Sequence, residues 1–116
     1  MIFWDSWKDK TVQEIELINV VKVFIKRITG SFSEEVYAIY LHGSFTTREF
    51  IDGSDIDFDV IVKEKKQVKQ VLEFIKKQTK NSVMDGKCYS IESLKKGEKE
   101  AGSEKSAGFF LLLAKY

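Results

Sequence analysis

Apolar residues along this chain follow two rhythms. Between positions 11 and 30 they recur every three or four residues, at Val12, Ile15, Ile18, Val21, Phe24, Ile25 and Ile28. That spacing predicts a helix with one face packed on a sheet. Thr11 and Glu14 form a capping box at its start, and Gly30 marks its end. Val36-Tyr37-Ala38-Ile39-Tyr40-Leu41 is near-continuously apolar and rich in β-formers, as expected of a strand covered on both faces. Residues 44–51 suit one or two helical turns. From Asp55 to Val62 the chain alternates acidic and apolar residues, which is strand periodicity. Its apolar set, Ile56, Phe58, Val60 and Val62, is expected against one of the helices. Residues 64–80 return to helical spacing, with Val68, Val71, Leu72 and Ile75 inward.

The remainder is less regular. Residues 82–90 predict a third strand, after which Ser90 can cap a short helix through Leu94. Residues 95–108 are dominated by Lys, Glu, Gly and Ser and read as a mobile loop. Phe109-Phe110-Leu111-Leu112-Leu113-Ala114 is apolar on too many faces for a free terminal helix, so it either docks in the core or covers a partner. No internal repeat is visible. Trp4 and Trp7 precede the first helix and suit a hydrophobic flap, with base stacking as the other use of such rings.

Length and composition narrow the class. The 116 residues favour one domain, 1–116, with enough chain for a real core. A net charge of +1 gives no overall argument for nucleic acid or an anionic membrane. The lysines at 63, 65, 66, 69, 76, 77 and 80 suit a solvated helix face, and a nucleic-acid stripe is the competing use. Cys88 is the only cysteine, which excludes an intrachain disulfide and fits a cytoplasmic setting. No stretch has the composition of a signal peptide or a membrane span.

Candidate chemistry sits between residues 41 and 62. A strand runs into Gly43-Ser44, and Asp52-Gly53-Ser54 turns the chain into the acidic strand. Residues two apart on a strand share a face, so Asp55 and Asp57 can hold hard divalent cations side by side. Gly43 lets backbone approach a phosphate without an intervening Cβ, and Ser44 with the following amides can donate to phosphate oxygens. Two metal ions about 4 Å apart would stabilise the attacking and leaving oxygens of an in-line phosphoryl displacement. His42, the single histidine, reads as a packed strand-end residue in preference to a general base. Cys88 reads as a buried thiol.

The pattern Gly43-Ser44, a ten-residue interval, then Asp55-Ile56-Asp57 resembles the signature of the DNA polymerase β-like nucleotidyltransferase superfamily. Ser54-Asp55-Ile56-Asp57 is similar to its minimal nucleotidyltransferase branch. The resemblance covers residues 36–62. It implies an α/β (α+β) nucleotidyltransferase fold, a small mixed sheet with helices mainly on one face. It also implies two Mg²⁺ ions and transfer of a nucleoside monophosphate, AMP from ATP, to a hydroxyl with release of pyrophosphate. The acceptor would lie on a partner protein, as in antitoxin-type members, or on a small molecule or RNA end. A partner or a homodimer would complete the site.

The resemblance further implies a third carboxylate, for which Asp85 is best placed. Asp59 is the second candidate, and it also fits a buried support that pairs with a cation. Many members carry Ala-Arg-Gly after the Gly-Ser pair, where this chain has Thr46-Thr47-Arg48. Arg48 then either covers the triphosphate from one position later or is an exposed helix residue. This departure leaves a second reading open: a catalytically impaired nucleotide-binding or protein-interaction module of the same fold.

Overall fold

A computed structural model describes residues 3–51, 53–95 and 110–113. Helix α1 spans Val12–Ser31 and begins as expected. The Thr11 hydroxyl accepts from the Glu14 amide, and the Glu14 carboxylate accepts from the Thr11 amide. Its buried face is Leu17, Ile18, Val21, Phe24 and Ile28. Val12 and Ile15, expected inside, are 74% and 47% exposed, because at about 100° per residue they point away from the side that carries Leu17, Val21, Phe24 and Ile28. The helix also passes Gly30 and is capped at Phe32, whose amide donates to the Ile28 carbonyl.

Strands β1 (Val36–His42) and β2 (Ile56–Val62) pair antiparallel, with Leu41 opposite Phe58 and His42 opposite Asp57. A turn at Lys65–Gln67 leads into helix α2 (Val68–Thr79). Strand β3 (Met84–Ser90) then returns parallel to β2. It starts two residues later than the sequence suggests, since the Ser82 hydroxyl accepts from the Met84 amide and turns the chain there. The Ser90 hydroxyl accepts from the Ser93 amide and caps helix α3 (Ile91–Lys95), as expected. Of the apolar end of the chain, Phe110–Leu113 form strand β4, antiparallel to β1 at the sheet edge. The stretch expected as a loop lies outside the described residues except for Lys95.

The sheet order is β3-β2-β1-β4, with both parallel and antiparallel pairs, so the sheet is mixed. One face of it is the core. Ile56, Phe58, Val60 and Val62 join Ile39 and Leu41 there, under Val21, Phe24 and Ile28 of α1 and Val71 and Ile75 of α2. The ring of Phe24 meets Phe58 edge-on with centroids 4.7 Å apart, a favoured aromatic geometry. The two helices are joined by a Phe32–Phe74 contact at 5.1 Å and by Arg27 Nη1 donating to Gln78 Oε1 at 3.2 Å. Helices therefore cover one face, and the alternation of β2 turns its aspartates to the other.

Gly86 shows how tightly β3 is drawn onto this core. A Cβ there would fall inside the Phe58 ring, so only glycine lets the neighbouring strand lie beside that side chain. No helix of the described residues is long and apolar enough to cross a membrane.

Candidate functional site

The site is assembled at the end of the sheet where β1 finishes and β2 and β3 begin. Parallel register places Asp57 directly beside Asp85, and Asp59 beside Lys87. Across the antiparallel pair Asp57 faces His42. Asp55 precedes β2 by one residue, and the Ile56 amide there donates to the Val83 carbonyl, which ties the two acidic segments together. Asp55 and Asp85 are exposed, and Asp57 is half-buried.

The Asp57 carboxyl is held above the ordinary carboxylate range. Burial is the main cause, and the charges of Asp85 and Asp55 add to it, while His42 and Lys87 oppose it. Like charges close together disfavour the ionised form. Asp55, Asp57 and Asp85 thus share one electrostatic environment. Among the described residues, no three carboxylate, histidine or cysteine side chains converge tightly enough to hold an ion in the positions shown. What the structure supplies is the donor chemistry, all carboxylate oxygen, which suits Mg²⁺ held by few protein ligands and completed by substrate phosphates.

Gly43 closes the site from the β1 side. Its φ is +84°, a region that L side chains rarely enter. A Cβ at this position would also stand 2.7 Å from Asp57 Oδ2. The glycine therefore makes room for the central carboxylate as well as for any approaching phosphate. A compact turn follows. The Gly43 carbonyl accepts from the Thr46 amide at 3.1 Å and the Thr46 hydroxyl at 2.8 Å, and the Ser44 carbonyl accepts from the Glu49 amide at 2.8 Å. Ser44 is half-buried within this turn.

Arg48, which the sequence left as either a triphosphate contact or an exposed helix residue, pairs with a carboxylate of α1. Its Nε and Nη2 donate to the two carboxylate oxygens of Glu14 at 2.8 and 2.6 Å. Its Nη1 donates to the Lys8 carbonyl at 3.0 Å, and its guanidinium lies 4.9 Å from the centre of the Trp7 ring. Trp4, expected in a flap, is buried and packs near Phe45 together with Trp7.

Asp59 is 4% exposed and faces His42, whose Nε2 lies 3.5 Å from Asp59 Oδ1. That nitrogen is buried and makes no hydrogen bond among the described residues, so the two groups attract each other only when the imidazole carries its proton. The Asp59 carboxylate, with help from Asp57, raises the imidazole pKa above its ordinary value against the opposing effect of burial. Cys88 is buried on the helix side of the sheet, which pushes its thiol up to about 12 and keeps it protonated at neutral pH.

Two residues here escape a reading of the sequence. Lys87 brings a cation to the row of carboxylates, visible only once β3 is known to run parallel to β2. Glu14 carries a clear helix-cap signature, but nothing in the sequence links it to Arg48, 34 residues away.

Comparison with known proteins agrees with this geometry. The family model for polymerase β, nucleotidyltransferase, matches residues 24–97, more than half of the chain and a span that includes Gly43, Ser44, Asp55, Asp57 and Asp85. The fold is similar to the 1.40 Å crystal structure of a provisionally assigned nucleotidyltransferase from Sulfolobus solfataricus. The TM-score is 0.61 at 16% identity, over 90% of each chain. A second provisionally assigned nucleotidyltransferase is similar at a TM-score of 0.50 and 17% identity, over 82% of this chain and 96% of that one. No protein of curated function matches significantly.

Proposed function

This chain belongs to the polymerase β nucleotidyltransferase family, and we propose that it transfers AMP from ATP to a hydroxyl on another molecule. Asp55, Asp57 and Asp85 are the proposed metal ligands, and Gly43 and Ser44 the proposed phosphate turn. The observation that carries this reading is the register of the sheet: Asp85 stands beside Asp57, at the end where the Gly43 turn closes over Asp57. In this reading two Mg²⁺ ions, when bound, neutralise the carboxylates and the phosphates and polarise the α-phosphate.

The chain's own groups do the rest. The Ser44 hydroxyl and amide hold the triphosphate on the β1 side, the Thr46 and Glu49 amides being bonded within the turn. Asp85, exposed on the far side of Asp57, faces the acceptor and takes up the proton of its hydroxyl. The acceptor oxygen forms the new bond to the α-phosphorus, the bond to the β-phosphate bridging oxygen breaks, and pyrophosphate leaves. Asp59 stays inside, beside His42. The acceptor is proposed to be a partner protein's hydroxyl in the cytoplasm, with a small molecule or an RNA end as the other candidates, and a partner or a second copy of this chain completes the site.

One observation favours a second reading. Arg48 is already engaged by Glu14, so the site as it stands has no arginine over the triphosphate, as expected of an impaired nucleotide-binding module. Incubation with radiolabelled ATP, Mg²⁺ and candidate partners separates the two. Transfer of label by wild type and its loss in Asp57→Ala supports the enzyme. ATP binding without transfer to any acceptor supports the module, and equal labelling by both proteins sinks the assignment of the site.

A further inference from the structure

The turn after Gly43 is fastened at two points. Phe45 is 1% exposed and lies near the rings of Trp4, Trp7 and Phe50. Arg48 ends the turn at φ +63°. A residue with a side chain persists in that region only when its surroundings hold it there, because the conformation costs about 1–2 kcal/mol.

Three groups hold it: the Glu14 carboxylate by a two-pronged ion pair, the Lys8 carbonyl, and the Trp7 ring. Glu14 Oε1 also accepts from the Thr11 amide at 2.9 Å, so one carboxylate closes the first turn of α1 and anchors the turn after Gly43. The Arg48 guanidinium holds that carboxyl at about 2, and it stays ionised at any neutral pH. Every one of these holding groups comes from residues 7–14, ahead of the stretch matched by the family.

We infer that Glu14 is a positioning residue for the nucleotide: acting through Arg48, it fixes the Gly43–Arg48 turn in the shape that receives the triphosphate. The inference rests on the nucleotidyltransferase reading above and assigns Arg48 to the turn in place of a phosphate. With its guanidinium committed to Glu14, the turn binds phosphate through backbone groups, whose value depends on their being ordered before the ligand arrives. Neither Glu14 nor Arg48 touches the reacting atoms, so loss of the pair acts on nucleotide affinity and leaves the rate at saturation alone.

Charge exchange tests this. MgATP affinity is measured by calorimetry for wild type, Glu14→Gln, Arg48→Glu and the double variant Glu14→Arg/Arg48→Glu, with melting temperatures as the check on folding. Glu14→Gln keeps an oxygen for the Thr11 amide and so retains the helix cap. Glu14→Gln and Arg48→Glu are each expected to weaken MgATP binding roughly tenfold, in keeping with the sensitivity of bound geometry to small displacements. In the double variant most of the affinity lost in Arg48→Glu returns, and transfer at saturating ATP stays within about threefold of wild type in Glu14→Gln. A double variant that melts like wild type yet binds as poorly as Arg48→Glu would overturn the inference, since restoring the ion pair would then restore no affinity. Wild-type affinity in Glu14→Gln would overturn it as well. Failure of the wild-type chain to bind MgATP would strike the nucleotidyltransferase reading itself, which the variant ratios do not test.

Discussion

Replacing Gly43 by alanine separates backbone strain from the crowding of Asp57. Alanine at φ +84° costs about 1–2 kcal/mol, the penalty of a left-handed residue with a Cβ. The new Cβ would stand 2.7 Å from Asp57 Oδ2, well inside contact distance, but that oxygen is the end of a side chain that can rotate. Moving it off its preferred rotamer adds about 0.5–1.5 kcal/mol. Gly53 is the matched control: its φ is +90°, and a Cβ there meets nothing within 4 Å. Denaturant unfolding should therefore show Gly43→Ala and Gly53→Ala destabilised to a similar extent, within roughly 1.5 kcal/mol of each other. Function should separate them sharply. Turning the Asp57 carboxylate away from Asp85 is expected to lower transfer about a hundredfold in Gly43→Ala, on the scale of a 1 Å misplacement, and to leave Gly53→Ala near wild type. Equal activity of the two variants would refute the claim that the glycine exists to accommodate Asp57.

Three further outcomes follow from the same structure. Gly86→Ala forces a methyl into the Phe58 ring and should cost about 1–3 kcal/mol in thermal or denaturant unfolding, the usual range for an overpacked core. The Glu14 carboxyl, lowered from 4.5 to about 2 by Arg48, contributes stability that is complete above pH 4.5 and is lost as pH falls through about 2. Glu14→Gln should flatten the acid limb of a stability–pH curve in that window, and an unchanged limb would count against the ion pair. The His42 imidazole, whose pKa is raised by Asp59, contributes stability that is complete below 6.5 and disappears as pH rises through its elevated folded value. An NMR titration should place His42 above free histidine in wild type and lower in Asp59→Asn, and the same midpoint in both would refute the pairing.

How much of this was legible in the sequence depended on the range of each interaction. The α1 cap, the acidic alternation of β2 and the Ser90 cap are local, and short spacings report them faithfully. The face of α1 was harder, because spacings of three suit a helix without fixing its inward side; Leu17, Val21, Phe24 and Ile28 set that side, and Val12 and Ile15 fall off it. Asp85 was reachable only through family resemblance, and its place beside Asp57 needed the parallel register of β3. The same register brings in Lys87, which no motif marks. Asp59 matches the neighbouring aspartates in sequence, but β1 sets His42 against it and makes it a buried partner. Arg48 was open in the sequence because its nearness to Gly43-Ser44 suggests phosphate, and its pairing with a carboxylate on α1 is a long-range contact that no local spacing reports. The terminal apolar run carries no period that distinguishes strand from helix, and its pairing with β1 is a tertiary outcome.

Asp55, Asp57 and Asp85 are proposed to act as one metal-binding set. Mn²⁺ titration followed by electron paramagnetic resonance, in the presence of a non-hydrolysable ATP analogue, addresses it directly in wild type and Asp85→Asn. Asp85 is exposed, so its replacement should leave folding intact. Two bound ions per wild-type chain and one in Asp85→Asn is the expected result; the same number and affinity of ions in both proteins would contradict the account.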